Sequence, residues 1–145
     1  MTLAAHSQEK SDRLQADLAR EIRREELRLE FAHLALEFNT FFKDVADRTS
    51  EPLFGDTLDE VSAFVAVLDR DDSEISANAD AKLDKLRATT KSLEEIGVTF
   101  NVYTTTSISD LEATRQQLTD TLTARRARYQ QELDLQIGRL FDWPL

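Results

Sequence analysis

"LRLEFAHLALEFNTFFKDV", residues 27–45, sets Leu27, Phe31, Leu34, Phe38, Phe41 and Val45 apart in alternating steps of four and three. That spacing holds one apolar seam on one side of a helix, the pattern of helices that pack along their whole length. No Gly or Pro occurs before Pro52, so one helix is predicted from Ser7 or Ser11 to about Asp47, extending about 60 Å. Upstream, Leu14, Leu18 and Ile22 form a second stripe in steps of four, offset from the Leu27 seam. The register changes within residues 20–30. It marks either a junction between two helical units or a frayed, solvated arm.

Working outward, Thr49, Ser50, Glu51, Pro52 and Gly55 break the periodicity and place a first loop at residues 48–56. Thr57 and Glu60 have the spacing of a capping box, in which a hydroxyl and a carboxylate satisfy the first free N–H groups of a helix. The second seam is Leu58, Val61, Val65 and Leu68, then Ile75, Ala79, Leu83, Leu86, Leu93 and Ile96, with Asp72 where an apolar residue is expected. The steps of four at Ile75, Ala79 and Leu83 predict a bend or loosening near the middle. Gly97 is placed to end this helix in a left-handed cap, and residues 98–106, rich in β-branched side chains, read as a connector. Ser107 and Asp110 form another capping pattern, opening a third helix from Ile108 to about Ile137. Its seam is Ile108, Leu111, Leu118, Leu122, Tyr129 and Leu133, interrupted by Arg115 and Arg125.

Three Gly and two Pro in 145 residues disfavour hairpin-rich folds, and the chain is long enough for one core. The fold class is therefore all-α: an elongated left-handed three-helix bundle whose long first helix extends as an N-terminal arm. The absence of Cys excludes disulfides and thiolate metal sites. A net charge of −10 argues against nucleic-acid binding and against anionic lipid surfaces. No apolar run approaches the ~20 residues that span a bilayer, and residues 1–10 lack the regions of a signal peptide. Because the initiator Met precedes a segment already helical in pattern, an excised fragment rather than a whole gene product is expected.

Candidate chemistry is sparse. Asp69, Asp71, Asp72 and Glu74 cluster, but a calcium loop counted from Asp69 needs Gly at its sixth position and Glu at its twelfth, which are Glu74 and Asp80 here. His6 and His33 have no nucleophile or second His at a helical spacing. No catalytic residue, metal or cofactor is expected. Phe42, Phe64 and Val67 lie off the seams, and either broaden the buried stripe of a three-helix bundle or face a partner. Leu53 and Phe54, in a loop, either cap the bundle end or contact another unit. Carboxylates dominate residues 56–80, whereas Arg115, Arg125, Arg126 and Arg128 make the third helix locally basic. These faces pair within the bundle or orient a partner.

Three segments carry a family resemblance: "ELRLEFAHLA" at 26–35, "GDTLDEVSAF" at 55–64 and "FNVYTTTSISDLEATRQQLTDTL" at 100–122. With the three-helix heptad pattern they resemble a spectrin repeat, and more narrowly the last rod repeat of α-actinin. The resemblance covers residues 27–136. It departs at Phe41 and Arg115, where the family often places Trp, and the tail "GRLFDWPL" has no calcium-binding loop. It implies a helical arm over 1–26 shared with a preceding repeat, a repeat over 27–137 and a tail over 138–145. It further implies a rigid spacer and antiparallel homodimerisation module of a cytoplasmic, cytoskeletal actin-crosslinking protein, dimerising through the intact rod and reaching actin only through domains this chain does not carry. The alternative is a free-standing adaptor docking a signalling or membrane-associated partner through Phe42, Phe64, Leu53 or Phe54.

Overall fold

Short capping devices set the helix ends. Thr57 Oγ1 accepts from the Glu60 N–H at 3.2 Å, and Glu60 reaches back to the Asp56 N–H at 2.8 Å, one residue before the expected partner. Gly97, at φ +76°, closes the same helix: its N–H bonds Glu94 O and that of Val98 bonds Leu93 O, the paired bonds of a Schellman motif. Ser107 and Asp110 cap each other's backbone N–H groups at 3.2 and 3.0 Å. Gly55, at φ +135°, turns the first loop where an added Cβ would stand 2.6 Å from Glu60 Cβ.

The computed structural model describes residues 3–51 and 53–141. Its elements are α1 (Leu3–Thr49), α2 (Leu58–Glu95) and α3 (Ile108–Phe141), with no strand among the described residues. Each helix packs on both others, so the fold is an all-helical three-helix bundle. The first helix begins earlier than expected, and α3 runs through Gly138 to Phe141 rather than stopping near Ile137. Trp143 and Pro144 lie outside the described residues. The second helix is unbroken through Ile75, Ala79 and Leu83, all buried.

The core has two parts. The larger joins Leu27, Phe31, Phe38 and Val45 of α1 to Ile75, Leu83, Leu86 and Leu93 of α2 and to Leu111, Leu118 and Leu122 of α3. Leu34, Phe41 and Ile108 are half-buried against it. The smaller lies at the first-loop end and joins Phe54, Val61, Leu68 and Tyr129, with Phe64 and Leu133 packed on it. There the Phe54 ring meets Phe64 and Tyr129 edge-on, centroids 5.4 and 5.5 Å away, and Tyr129 Oη donates to Val61 O at 2.8 Å. Leu58 is half-buried.

Two seam assignments need correction. Val65 is 40% exposed; Phe64, one position earlier and also within helical spacing of Val61 and Leu68, takes the inward place because Phe54 and Tyr129 supply aromatic neighbours. Arg125, read as an interruption of the seam and a possible interface residue, is itself buried in line with it, only 5% exposed. Buried Thr49 and Thr89 satisfy their hydroxyls on the carbonyls four residues back, Val45 O and Lys85 O.

Candidate interaction surfaces

The acidic face of α2 and the basic face of α3 meet each other. Arg115 Nε donates to Asp80 at 2.9 Å, Arg125 to Asp71 at 3.2 Å, and Arg126 to Asp69 at 2.9 Å and Asp72 at 2.8 Å. Arg128 donates to Thr49 O at 2.8 Å. The contacts of Arg125, Arg126 and Arg128 form a polar layer between the two apolar clusters, whereas Arg115–Asp80 lies beside the larger one. Hydrogen bonding to Asp72 and Asp69 holds the Arg126 guanidinium above its ordinary range, against a smaller opposing effect of burial. The layer is incompletely satisfied: Asp72 Oδ1, Arg125 Nε and Arg128 Nε are buried without a hydrogen-bond partner. Asp72 occupies its apolar register position because Arg126 lies opposite it.

The aromatic candidates for docking are likewise turned inward. Phe54 is 4% exposed, Phe64 packs beside it, and Phe42 packs against the larger cluster. Val67 is half-buried. Of this group Leu53 alone is largely exposed, at 74%. Of the rings expected to dock an adaptor's partner, Phe54 is therefore core, whereas Phe42 and Phe64 are half-buried beside the clusters they pack on.

The second loop, residues 96–107, holds α1 where it enters the bundle. Arg24 Nε donates to Ile96 O at 3.3 Å, Arg28 Nε to Phe100 O at 3.4 Å, and Asn101 Nδ2 to Arg28 O at 2.8 Å. The Arg28 guanidinium also lies over the Phe100 ring, 5.3 Å from its centroid. Residues 3–23 of α1, beyond this grip, are exposed on every side.

No protein-family model matches the chain, and no curated protein matches it.

A cavity of about 340 Å³ lies against the second loop, lined by Phe31, Leu93, Val98 and several threonines, with Glu94 its sole carboxylate. Among the described residues no group of three His, Cys, Asp or Glu is placed to hold a metal ion, and no helix is long and apolar enough to cross a membrane. His33 lies exposed on α1 and His6 far up the same helix. Between α1 and α2, Lys82 donates to Glu37 at 2.9 Å and sits over the Phe41 ring, 5.6 Å from its centroid. The hydrogen bond and the ammonium charge hold the Glu37 carboxyl below its ordinary range.

One surface was not legible as such from the seam reading. Leu14, Leu18, Ile22, Leu29 and Leu36 of α1 are all between 48% and 67% exposed. At about 100° per residue, Leu29 and Leu36 point opposite to Leu27 and Phe38. The Leu14 stripe thus does not hand over to the Leu27 seam; it continues along the outer face. The heptad spacing of Ile22, Leu29 and Leu36 was the available signal.

Proposed function

We propose that this chain is a structural unit, without catalysis, of spectrin-repeat type: a rigid spacer and antiparallel pairing module in the rod of an α-actinin-like actin-crosslinking protein. Residues 3–23 then serve as an arm shared with a preceding repeat, and the bundle is elongated and left-handed, as heptad seams favour. The observation that carries the reading is α1 itself, one unbroken helix that enters the bundle gripped by the second loop and leaves it fully exposed. A continuous helix fixes the direction of whatever precedes it, and a packed three-helix bundle resists bending. The residue resemblance supplies the antiparallel dimer of the intact rod, the cytoskeletal location and actin at the rod ends.

The cysteine-free chain permits a direct test. Spin labels on Ser11→Cys and Asp47→Cys should give one narrow distance near ~54 Å, from 36 residues at the helical rise. A broad or much shorter distribution refutes the spacer reading. Pairing is tested separately by sedimentation across concentration and salt, alone and mixed with other rod repeats. Salt-weakened, head-to-tail association supports it, and a strict monomer throughout refutes it.

A further inference from the structure

The cavity against the second loop combines an apolar lining with one unpaired charge. Its apolar part is Phe31 of α1, Leu93 near the end of α2, Val98 just beyond it and Ile108 at the start of α3. A volume of about 340 Å³ lies within the range of small-molecule sites. The loop that walls it is anchored without a ligand: Arg24 donates to Ile96 O, the Arg28 guanidinium lies over the Phe100 ring, and Asn101 Nδ2 donates to Arg28 O. A wall already held in this way loses little freedom when a ligand enters.

The polar lining selects the sign of the ligand. Glu94 is the one charged residue among those that line the cavity, and its exposed side chain makes no ion pair among the described residues. It stands in the last turn of α2, which holds no Lys or Arg. There the helix's own carbonyl dipoles disfavour a carboxylate and favour a cation. Arg24 relieves part of this through Ile96 O, but it is itself paired with Glu21 and does not line the cavity. The positive end of α3, on the other side, is already met by Asp110 and capped by Ser107. Hydroxyls complete the lining. Those of Thr90 and Thr104 are engaged with Leu86 O and the Thr106 N–H, whereas those of Thr99, Thr105 and Thr106 have no hydrogen-bond partner among the described residues and can accept from a ligand.

We propose that this cavity binds a small organic amine, its apolar body against Phe31, Leu93, Val98 and Ile108 and its ammonium donating to the Glu94 carboxylate and the threonine hydroxyls. The apolar lining supplies affinity. A neutral ligand of the same shape leaves Glu94 unpaired, and an anion meets its repulsion, so the carboxylate supplies the discrimination. The site is independent of the spacer role, which is read by the spin-label distance rather than by binding.

The probe is 2-phenylethylamine, titrated into the isotope-labelled full chain and followed by amide NMR shifts. It should bind saturably with a Kd of about 10 mM or tighter, as suits about nine non-hydrogen atoms, and move the amides around the second loop first. The alcohol 2-phenylethanol, with the same body and no charge, should bind about 3-fold or more weakly. Methylamine, which has the charge without the body, should not saturate over the same range. Glu94→Gln should bring the amine down to the affinity of the alcohol. The thermal unfolding curve of that variant should stay in place or rise, since the lost charge was unfavourable at the helix end. Glu95→Gln removes the same charge one residue away and outside the lining, and should leave amine binding unchanged. The proposal is overturned if the amine gives no saturable shifts, if amine and alcohol bind equally, or if methylamine binds as well as the larger amine. It is equally overturned if amine binding survives Glu94→Gln, or if both Glu variants weaken it alike, since that would be general attraction to a chain of charge −10.

Discussion

Removing either side of the Arg125–Asp71 pair should cost unequal amounts, and removing both should cost little. Arg125 is 5% exposed with an unpaired Nε, whereas about a quarter of the Asp71 side chain reaches water (26%). Asp71→Leu strands a buried guanidinium, for which about 3–5 kcal/mol is the usual penalty. Arg125→Met strands a carboxylate that can rehydrate, so roughly half that penalty, about 1.5–2.5 kcal/mol, is expected. The double variant Arg125→Met/Asp71→Leu has no stranded charge and continues both apolar clusters through the polar layer. It should lie within ~1 kcal/mol of wild type or above it. Urea unfolding followed by circular dichroism, with slopes compared to exclude changes in the unfolded state, measures all four chains. Equal losses for the two single variants, or a double loss equal to their sum, would refute the argument that burial asymmetry governs this pair.

Other outcomes follow from local geometry. Gly55→Ala should cost about 1–3 kcal/mol, since its backbone is left-handed and the new Cβ meets Glu60; Gly97→Ala, with open space around it, should cost less, and paired urea midpoints rank them. Phe38→Asp should unfold the chain at ordinary temperature, because Phe38 is fully buried, whereas half-buried Phe41→Asp should leave a folded domain with a lower melting temperature. The Glu37 carboxyl should titrate below an ordinary glutamate and move upward in Lys82→Met, as followed by NMR. Its pairing with Lys82 is complete at neutral pH and is lost as pH falls through that lowered value. For so exposed a pair the effect on stability should be slight.

The caps and loop ends were readable because each rests on local chemistry: Ser107 with Asp110 and Gly97 do what their spacing predicts, and Thr57 with Glu60 does so except that Glu60 reaches Asp56 N–H rather than that of Thr57. Most seam residues followed from periodicity alone. Side choice was harder where two registers compete. Val65 and Phe64 both fit helical steps from Val61 to Leu68, and only Phe54 and Tyr129, distant in sequence, decide between them. Arg125 reads as a break until Asp71 is seen opposite it. The outer stripe of α1 was hidden because its upstream half resembles a seam about to join the core, and periodicity does not say which of two apolar faces a bundle will cover.

The polar layer of Thr49, Asp71, Asp72, Arg125, Arg126 and Arg128 also partitions the molecule's cooperativity. Apolar packing couples neighbouring turns strongly, whereas a layer with orphaned polar atoms couples them weakly. The aromatic end, residues 53–68 with 129–133, is therefore expected to open as a unit of its own. Its amides should exchange with solvent hydrogen sooner than those of residues 75–93 and 111–122, and as a group rather than one by one. A tension applied along the helices would then be relieved first by a reversible parting at that end, with the longer core still closed.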